Sequence, residues 1–75
     1  MSIGEKVMVY LREAVRKSGQ TYSQIGVSMG YPEKNATQAV SQFLKTTNPS
    51  FHRVLLIMQA LDLKWKDLFS AIERE

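Results

Sequence analysis

The sequence predicts an all-α fold, a compact domain of five short helices. Apolar residues recur at spacings of three and four in successive segments, which is the pattern of a helix with one buried face. Capping and turn residues separate these segments, and the alternating pattern of a half-buried strand is missing. A chain of 75 residues suffices for one domain, and we expect it to span residues 1–75.

The first two helices are predicted from capping boxes, in which Ser or Thr is followed three residues later by Glu or Gln. The two boxes are Ser2 with Glu5 and Thr21 with Gln24. Helix one is expected over residues 3–17, because Gly19 suits the position just after a helix end. Helix two is short and ends near Gly30. It carries Gly26 in its middle, which predicts close approach of another helix; the alternative is a glycine that is merely tolerated there at a small cost in stability.

The last three helices follow a turn at Pro32, since proline pushes its preceding residue out of the helical region. Asn35 is expected to cap helix three, which would run over residues 36–45. Helix four begins at Phe51, and helix five spans residues 65–73. The expected core consists of Val7, Leu11, Val15, Ile25, Met29, Val40, Phe43, Leu44, Leu55, Met58, Leu61, Leu68 and Phe69.

Composition argues against an enzyme. The chain has no cysteine, and His52 is its only histidine, predicted to be exposed in the first turn of helix four. No glycine-rich phosphate loop is present. We therefore expect no catalytic residue, no metal site and no cofactor. Without a signal peptide or an apolar run of about 20 residues, we expect no membrane segment and a cytoplasmic location.

The polar face of helix three carries the main functional signal. Winding at about 100° per residue separates it from the apolar face. The polar face consists of Thr37, Gln38, Ser41, Gln42 and Lys45. A solvated face usually mixes Glu with Lys, yet residues 34–61 contain no acidic residue. The net charge of +3 is therefore concentrated locally, and hydroxyls and amides of this kind can satisfy the edges of bases in DNA.

Several short motifs occur in a fixed order between residues 21 and 69. They are Ile25-Gly26, Met29-Gly30, Val40-Ser41 with Phe43, Asn48-Pro49-Ser50-Phe51, Ala60-Leu61 and Asp67-Leu68-Phe69. In this order they resemble the phage repressor and Cro-like helix-turn-helix family of DNA-binding transcriptional regulators. The stretch YPEKN makes the turn before Val40 about four residues longer than in the family pattern. This predicts an extended turn, with a longer third helix or a different angle of its approach.

The resemblance implies sequence-specific binding of double-stranded DNA, with helix 36–45 in the major groove. It implies transcriptional regulation by occlusion of an operator or by recruitment to it, and it favours a repressor over an activator. Base reading is expected from Thr37, Gln38, Ser41 and Gln42. Phosphate contacts are expected from Thr21, Tyr22, Ser23, Lys34, Asn35, Lys45, Thr46, Thr47, Asn48 and Arg53. Asn35 has a second explanation as a helix cap, and Arg53 has one as a solvated residue of helix four.

Two alternatives remain open from the sequence. The same fold can serve as a protein-interaction or antitoxin-like module, with the polar face of helix three docking a partner protein and little specific DNA affinity. Trp65, Phe69 and Ile72 of helix five either close the core or form the contact of a homodimer. A two-fold dimer would place two recognition helices one turn of DNA apart.

Overall fold

The computed structural model describes residues 1–74, and this part of the chain contains helices but no β-strand. The helices are α1 (Ile3–Ser18), α2 (Tyr22–Ser28), α3 (Glu33–Lys45), α4 (Phe51–Ala60) and α5 (Trp65–Glu73). The predicted all-α, five-helix fold is therefore confirmed. Within the described residues, the helices are too short or too polar to cross a membrane.

Local capping explains where most of these helices begin. At α1, the Glu5 N–H donates to Ser2 Oγ at 3.2 Å, and the Ser2 N–H donates back to the Glu5 carboxylate at 2.9 Å. This backbone hydrogen bond from Ser2 lowers the pKa of Glu5. Thr21 and Gln24 form the same reciprocal pair at α2. Both predicted capping boxes are thus confirmed, and Gly19 ends α1 in the left-handed conformation at φ 71°.

The start of α3 differs from the prediction. Pro32, with φ −58° and ψ 145°, is the N-cap, and α3 begins at Glu33. Asn35 lies inside the first turn, where its N–H donates to the Pro32 carbonyl at 2.9 Å, so the predicted Asn35 cap is wrong. Proline at this point supplies a fixed backbone angle and an acceptor carbonyl without a capping side chain. The additional residues of YPEKN therefore lengthen the helix, and the predicted extended turn is only four residues, 29–32.

The core is wholly apolar among the described residues. Buried residues are Met8, Leu11, Val15, Ile25, Met29, Ala36, Val40, Phe43, Leu44, Val54, Ile57, Met58 and Leu68. Val7, Leu55 and Leu61 of the predicted core are only partly buried. The prediction for Phe69 is wrong, since this side chain is 55% exposed.

α2 packs most extensively on α3, and the closest approach is at Gly26. A Cβ atom at Gly26 would lie 2.6 Å from both the Cβ atom and the carbonyl oxygen of Ala36. Real Cβ atoms do not come that close to their neighbours, so only glycine fits here without movement of α3. The predicted close crossing is confirmed, and it sets the position of α3 relative to α2.

Candidate nucleic-acid interface

The outward face of α3 is the centre of the candidate site. Thr37, Gln38 and Gln42 are exposed and Ser41 is half-buried, as expected for a polar helix face beside a packed one. None of their side chains forms a hydrogen bond with another residue of the described chain. These hydroxyls and amides are therefore available to an external ligand.

The earlier start of α3 changes the composition of this face. By helical geometry Lys34 and Asn35 join the side that carries Gln38, and both are exposed. Glu33 also enters the helix, but it is rotated by about 140° from Gln38 around the helix axis. The outward face thus gains a cation and an amide while remaining free of carboxylates.

A shallow cavity of about 350 Å³ lies on the α4 side of this face. Polar and charged residues of its lining are Gln42, Thr46, Asn48, Ser50 and Arg53. The cavity is shaped by local bonds. Ser50 Oγ accepts the Arg53 N–H at 3.3 Å, and Thr46 Oγ1 accepts the Asn48 N–H at 3.3 Å. The structure therefore brings three predicted phosphate contacts, Thr46, Asn48 and Arg53, next to the base-reading candidate Gln42.

A second cavity, of about 440 Å³, lies on the other side of the face, between α1, the start of α2 and α3. We refer to it as the α1-side cavity. Its lining consists of Arg12, Val15, Arg16, Gln20, Tyr22, Ser41, Leu44 and Lys45. Tyr22 and Lys45 are predicted phosphate contacts, whereas sequence reasoning missed Arg12, Arg16 and Gln20. The spacing of Arg12 and Arg16 puts them on one face of α1, but nothing local indicates that this face meets α3.

Arg12 joins α1 to the C-terminal end of α3. Its Nε donates to the Leu44 carbonyl at 2.6 Å, and its Nη2 donates to the Thr46 carbonyl at 3.4 Å. Carbonyls in the last turn of a helix have no partner within the helix, and a positive charge there is favourable. The Arg12 guanidinium thus satisfies these acceptors and holds the end of the polar face in place.

A surface ion pair lies beside the α1-side cavity. The Arg16 guanidinium donates through two nitrogens to the Glu13 carboxylate, and Lys17 Nζ lies 3.9 Å from the same carboxylate. The hydrogen bond from Arg16 lowers the pKa of Glu13 and raises the pKa of Arg16. Glu13 itself does not line the cavity.

The remaining predicted phosphate contacts are not gathered by either cavity. Thr21 Oγ1 already accepts the Gln24 N–H at 3.1 Å, and Ser23 is half-buried in α2. Lys34 and Asn35 are exposed at the N-terminal end of α3, and Thr47 is exposed after its C-terminal end. His52 is exposed, as predicted. No group of three His, Asp or Glu side chains suited to a metal occurs within residues 1–74.

An aromatic surface, formed by Phe51, Trp65 and Phe69, lies at the start of α4 and along α5. The Phe51 and Trp65 rings stack with centroids 5.8 Å apart, and the Trp65 and Phe69 rings are 6.0 Å apart. Phe51 is 72% exposed. Trp65 and Ile72 are half-buried and pack against the core, so they fulfil the core-closing prediction in part.

Comparison with known proteins adds no family to this description. No protein-family model, curated protein or solved structure matches the chain. The function is therefore inferred from the chemistry of α3 and of the surfaces beside it.

Proposed function

We propose that the protein binds double-stranded DNA sequence-specifically and regulates transcription, as a repressor, by placing α3 in the major groove. The observation that carries this proposal is the outward face of α3, which is free of carboxylates and has unused hydrogen-bonding groups. The resemblance of the sequence to phage repressor and Cro-like regulators agrees with it. Occlusion of an operator needs no chemistry by the protein itself.

The chemistry of the face suits the edges of base pairs. The major groove is about 12 Å wide and admits one helix. The Gln38 and Gln42 amides can each pair with N6 and N7 of adenine, and the Thr37 methyl group can contact a thymine methyl. Lys45, at the far end of α3, suits a guanine or a phosphate.

The surroundings of α3 suit the two backbones that border the groove. A cavity with at least one cation lies on each side of the helix, with Arg53 on the α4 side and Lys45 on the α1 side. Contacts to phosphates fix the register of a protein on DNA, whereas contacts to bases specify the sequence. The arrangement is therefore suited to make both kinds of contact from one side of the molecule.

The test is selection from a pool of random duplexes, followed by titration of the selected duplex at several salt concentrations. We expect a recovered motif and a steep loss of affinity with salt. Gln38→Ala and Gln42→Ala should each change the preferred base at one position, with a cost of about 1–3 kcal/mol. Lys34→Ala should lower the affinity for all DNA sequences by the same factor.

Gln59→Ala is the matched control, because Gln59 is an exposed glutamine on α4 outside both cavities. Weak binding without a recovered motif would contradict the proposal. The face of α3 would then be assigned to a partner protein, as in an antitoxin-like module.

We further propose that two copies associate through the aromatic surface together with Ile72. A packed aromatic patch with two rings more than half exposed is suited to burial in an interface. Lys66 and Glu73 are exposed on α5 and lie two helical turns apart. Antiparallel packing of two α5 helices would bring Lys66 of each copy to Glu73 of the other, and so would favour a two-fold dimer.

The dimer is tested by sedimentation equilibrium of the full chain and of the variant Phe51→Ser/Phe69→Ser. We expect a concentration-dependent dimer that the double variant abolishes, and a palindromic motif in the selection. Val27→Ser is the control, since Val27 is 48% exposed and lies on α2. An unchanged dimer in the double variant, or a monomer in the parent chain, would contradict this interface.

A further inference from the structure

We propose that the α1-side cavity binds one phosphodiester of the DNA backbone, with Arg12 and Arg16 of α1 as contacts that the sequence did not indicate. The inference rests on the proposed function, because the ligand is a phosphate of the same duplex that α3 reads. It assigns α1 a direct part in binding, in addition to its part in the core.

The charge of the residues that line the cavity favours a phosphate as its ligand. Arg12, Arg16 and Lys45 all line this one cavity, and no carboxylate lines it. Gln20 and Tyr22 add uncharged hydrogen-bonding groups at its rim. A phosphodiester carries one negative charge, and guanidinium groups match the geometry of its oxygens.

The Arg12 side chain is already oriented in the structure without a ligand. Two of its N–H donors are committed to the carbonyls of Leu44 and Thr46. A guanidinium has five N–H donors, so three remain without a partner among the described residues. Because the side chain is held from both α1 and α3, little of its rotational freedom is left to be lost on binding a phosphate.

Arg16 supplies a more mobile contact. Its present partner is Glu13, and the side chains of the two residues are 70% and 46% exposed. Exposed ion pairs of this kind contribute little free energy, so little is lost when one is broken. A phosphate in the cavity would compete with Glu13 for the Arg16 guanidinium.

The position of the cavity connects it with the duplex bound by α3. Ser41 and Lys45 belong both to the cavity lining and to the outward face of α3. An anion in the cavity would therefore lie directly beside a base pair contacted by Ser41. The shallow cavity lined by Gln42 and Arg53 borders the opposite edge of the same face, so each cavity would meet a different strand of the duplex.

The experiment compares the full chain with Arg16→Gln on the selected duplex. Each phosphate contact contributes about 0.9 to the slope of log K against log salt. We expect Arg16→Gln to lower that slope by about one, to weaken all sequences alike and to leave the recovered motif unchanged. Lys17→Gln is the matched control, because it removes the same charge from the adjacent exposed residue, which does not line the cavity.

Neutral methylphosphonates locate the phosphate. Methylphosphonates are substituted for single phosphates around the motif, one duplex at a time. At one position the substitution should weaken DNA binding by the parent chain but not by Arg16→Gln. The inference is overturned if Arg16→Gln and Lys17→Gln have the same slope of log K against log salt, or if no such phosphate position exists. The proposed function would still be supported by the recovered sequence motif. If the parent chain recovers no motif, the proposed function fails and the inference fails with it.

Inorganic phosphate distinguishes a small-anion site from a backbone contact. In an NMR titration with inorganic phosphate alone, we expect only weak shifts at Gln20 and Arg16, since a single backbone contact needs the rest of the duplex for affinity. Tight binding of inorganic phosphate together with an unchanged salt slope would overturn the assignment to DNA.

Discussion

Replacement of Gly26 by alanine tests the contact that positions α3. In an isolated helix this change is stabilising by about 1 kcal/mol, because glycine is the poorer helix former. In this fold the added Cβ atom would lie 2.6 Å from Ala36 Cβ, whereas ordinary carbon contacts are about 3.5–4.0 Å. The overlap is therefore about 1 Å, and its cost opposes the gain in helix propensity.

The structure leaves no inexpensive way to relieve this overlap. The other near atoms belong to the Ala36 backbone, with its carbonyl oxygen at 2.6 Å and its Cα atom at 2.8 Å. No flexible side chain can rotate away, so α3 itself must move. Overpacking of this kind costs about 1–3 kcal/mol or more. Taking the upper value and subtracting the gain in propensity, we expect a net destabilisation of about 2 kcal/mol.

Thermal unfolding followed by circular dichroism measures this effect. For a domain of this size, about 2 kcal/mol corresponds to a fall in Tm of about 8–16 °C. Ser28→Ala in the same helix is the control, because Ser28 is exposed and should tolerate alanine without loss. Adding Ala36→Gly to Gly26→Ala should restore only part of the stability, since the backbone atoms of residue 36 remain in place.

Unfolding of Gly26→Ala at the same temperature as the parent chain, or at a higher one, would contradict the expected destabilisation. That result would mean that helix propensity outweighs the steric contact, and that α2 and α3 are not held by this crossing.

Three further predictions concern a phenol, a cap and the core. Burial of the Tyr10 hydroxyl, and to a smaller extent the negative charge of Asp67, raises the pKa of Tyr10 in the folded state. The resulting contribution to stability is complete below about pH 10 and is lost as pH rises through the folded-state pKa. Tyr10→Phe should therefore reduce the loss of stability at alkaline pH measured by urea unfolding, and equal pH profiles of the two chains would contradict this. Thr21→Ala should lower the free energy of unfolding in urea by about 1 kcal/mol. An unchanged free energy of unfolding would contradict a stabilising N-cap at Thr21. Met8→Ala should cost about 2–5 kcal/mol and leave little helical signal at 37 °C, whereas cooperative unfolding well above 37 °C would refute it.

The parts of the fold that depend on neighbouring residues could be predicted from the sequence. The capping boxes at Ser2 and Thr21 involve residues three apart, so the sequence contains all the information about them. The start of α3 was missed because two local signals compete within four residues. Asn35 is the better capping side chain, but Pro32 already has the backbone angles of an N-cap.

The predicted core differs from the observed core where neighbouring residues of the sequence are similar in hydrophobicity. In α4 the run from Val54 to Met58 is apolar at every position, so periodicity cannot select the buried side. Leu55 and Met58 are the core residues predicted from this run. Met58 is buried as predicted, whereas Leu55 is only partly buried and Ile57 is fully buried in its place. Phe69 is predicted to face inward together with Leu68 and Ile72, but α5 is packed through Leu68 and the Phe69 side chain is exposed.

Only the part of the candidate site that lies on a single helix could be predicted from the sequence. The polar face of α3 follows from its own periodicity. The α1-side cavity depends on how α1 lies beside α3. Its lining residues on these two helices are at least 25 positions apart in the chain, as in the 32-residue separation of Arg12 and Leu44. Arg12 and Arg16 therefore look like ordinary surface residues until the tertiary structure is known.

The aromatic surface also gives the protein a built-in optical reporter. Trp65 is the only tryptophan of the chain, and it lies between Phe51 and Phe69 on α5. It lines neither of the cavities that flank α3. Covering the aromatic surface would move its indole ring into a drier environment and shift its emission to the blue. Occupation of α3 alone would leave that emission unchanged, so the fluorescence of the unlabelled chain can separate the two events.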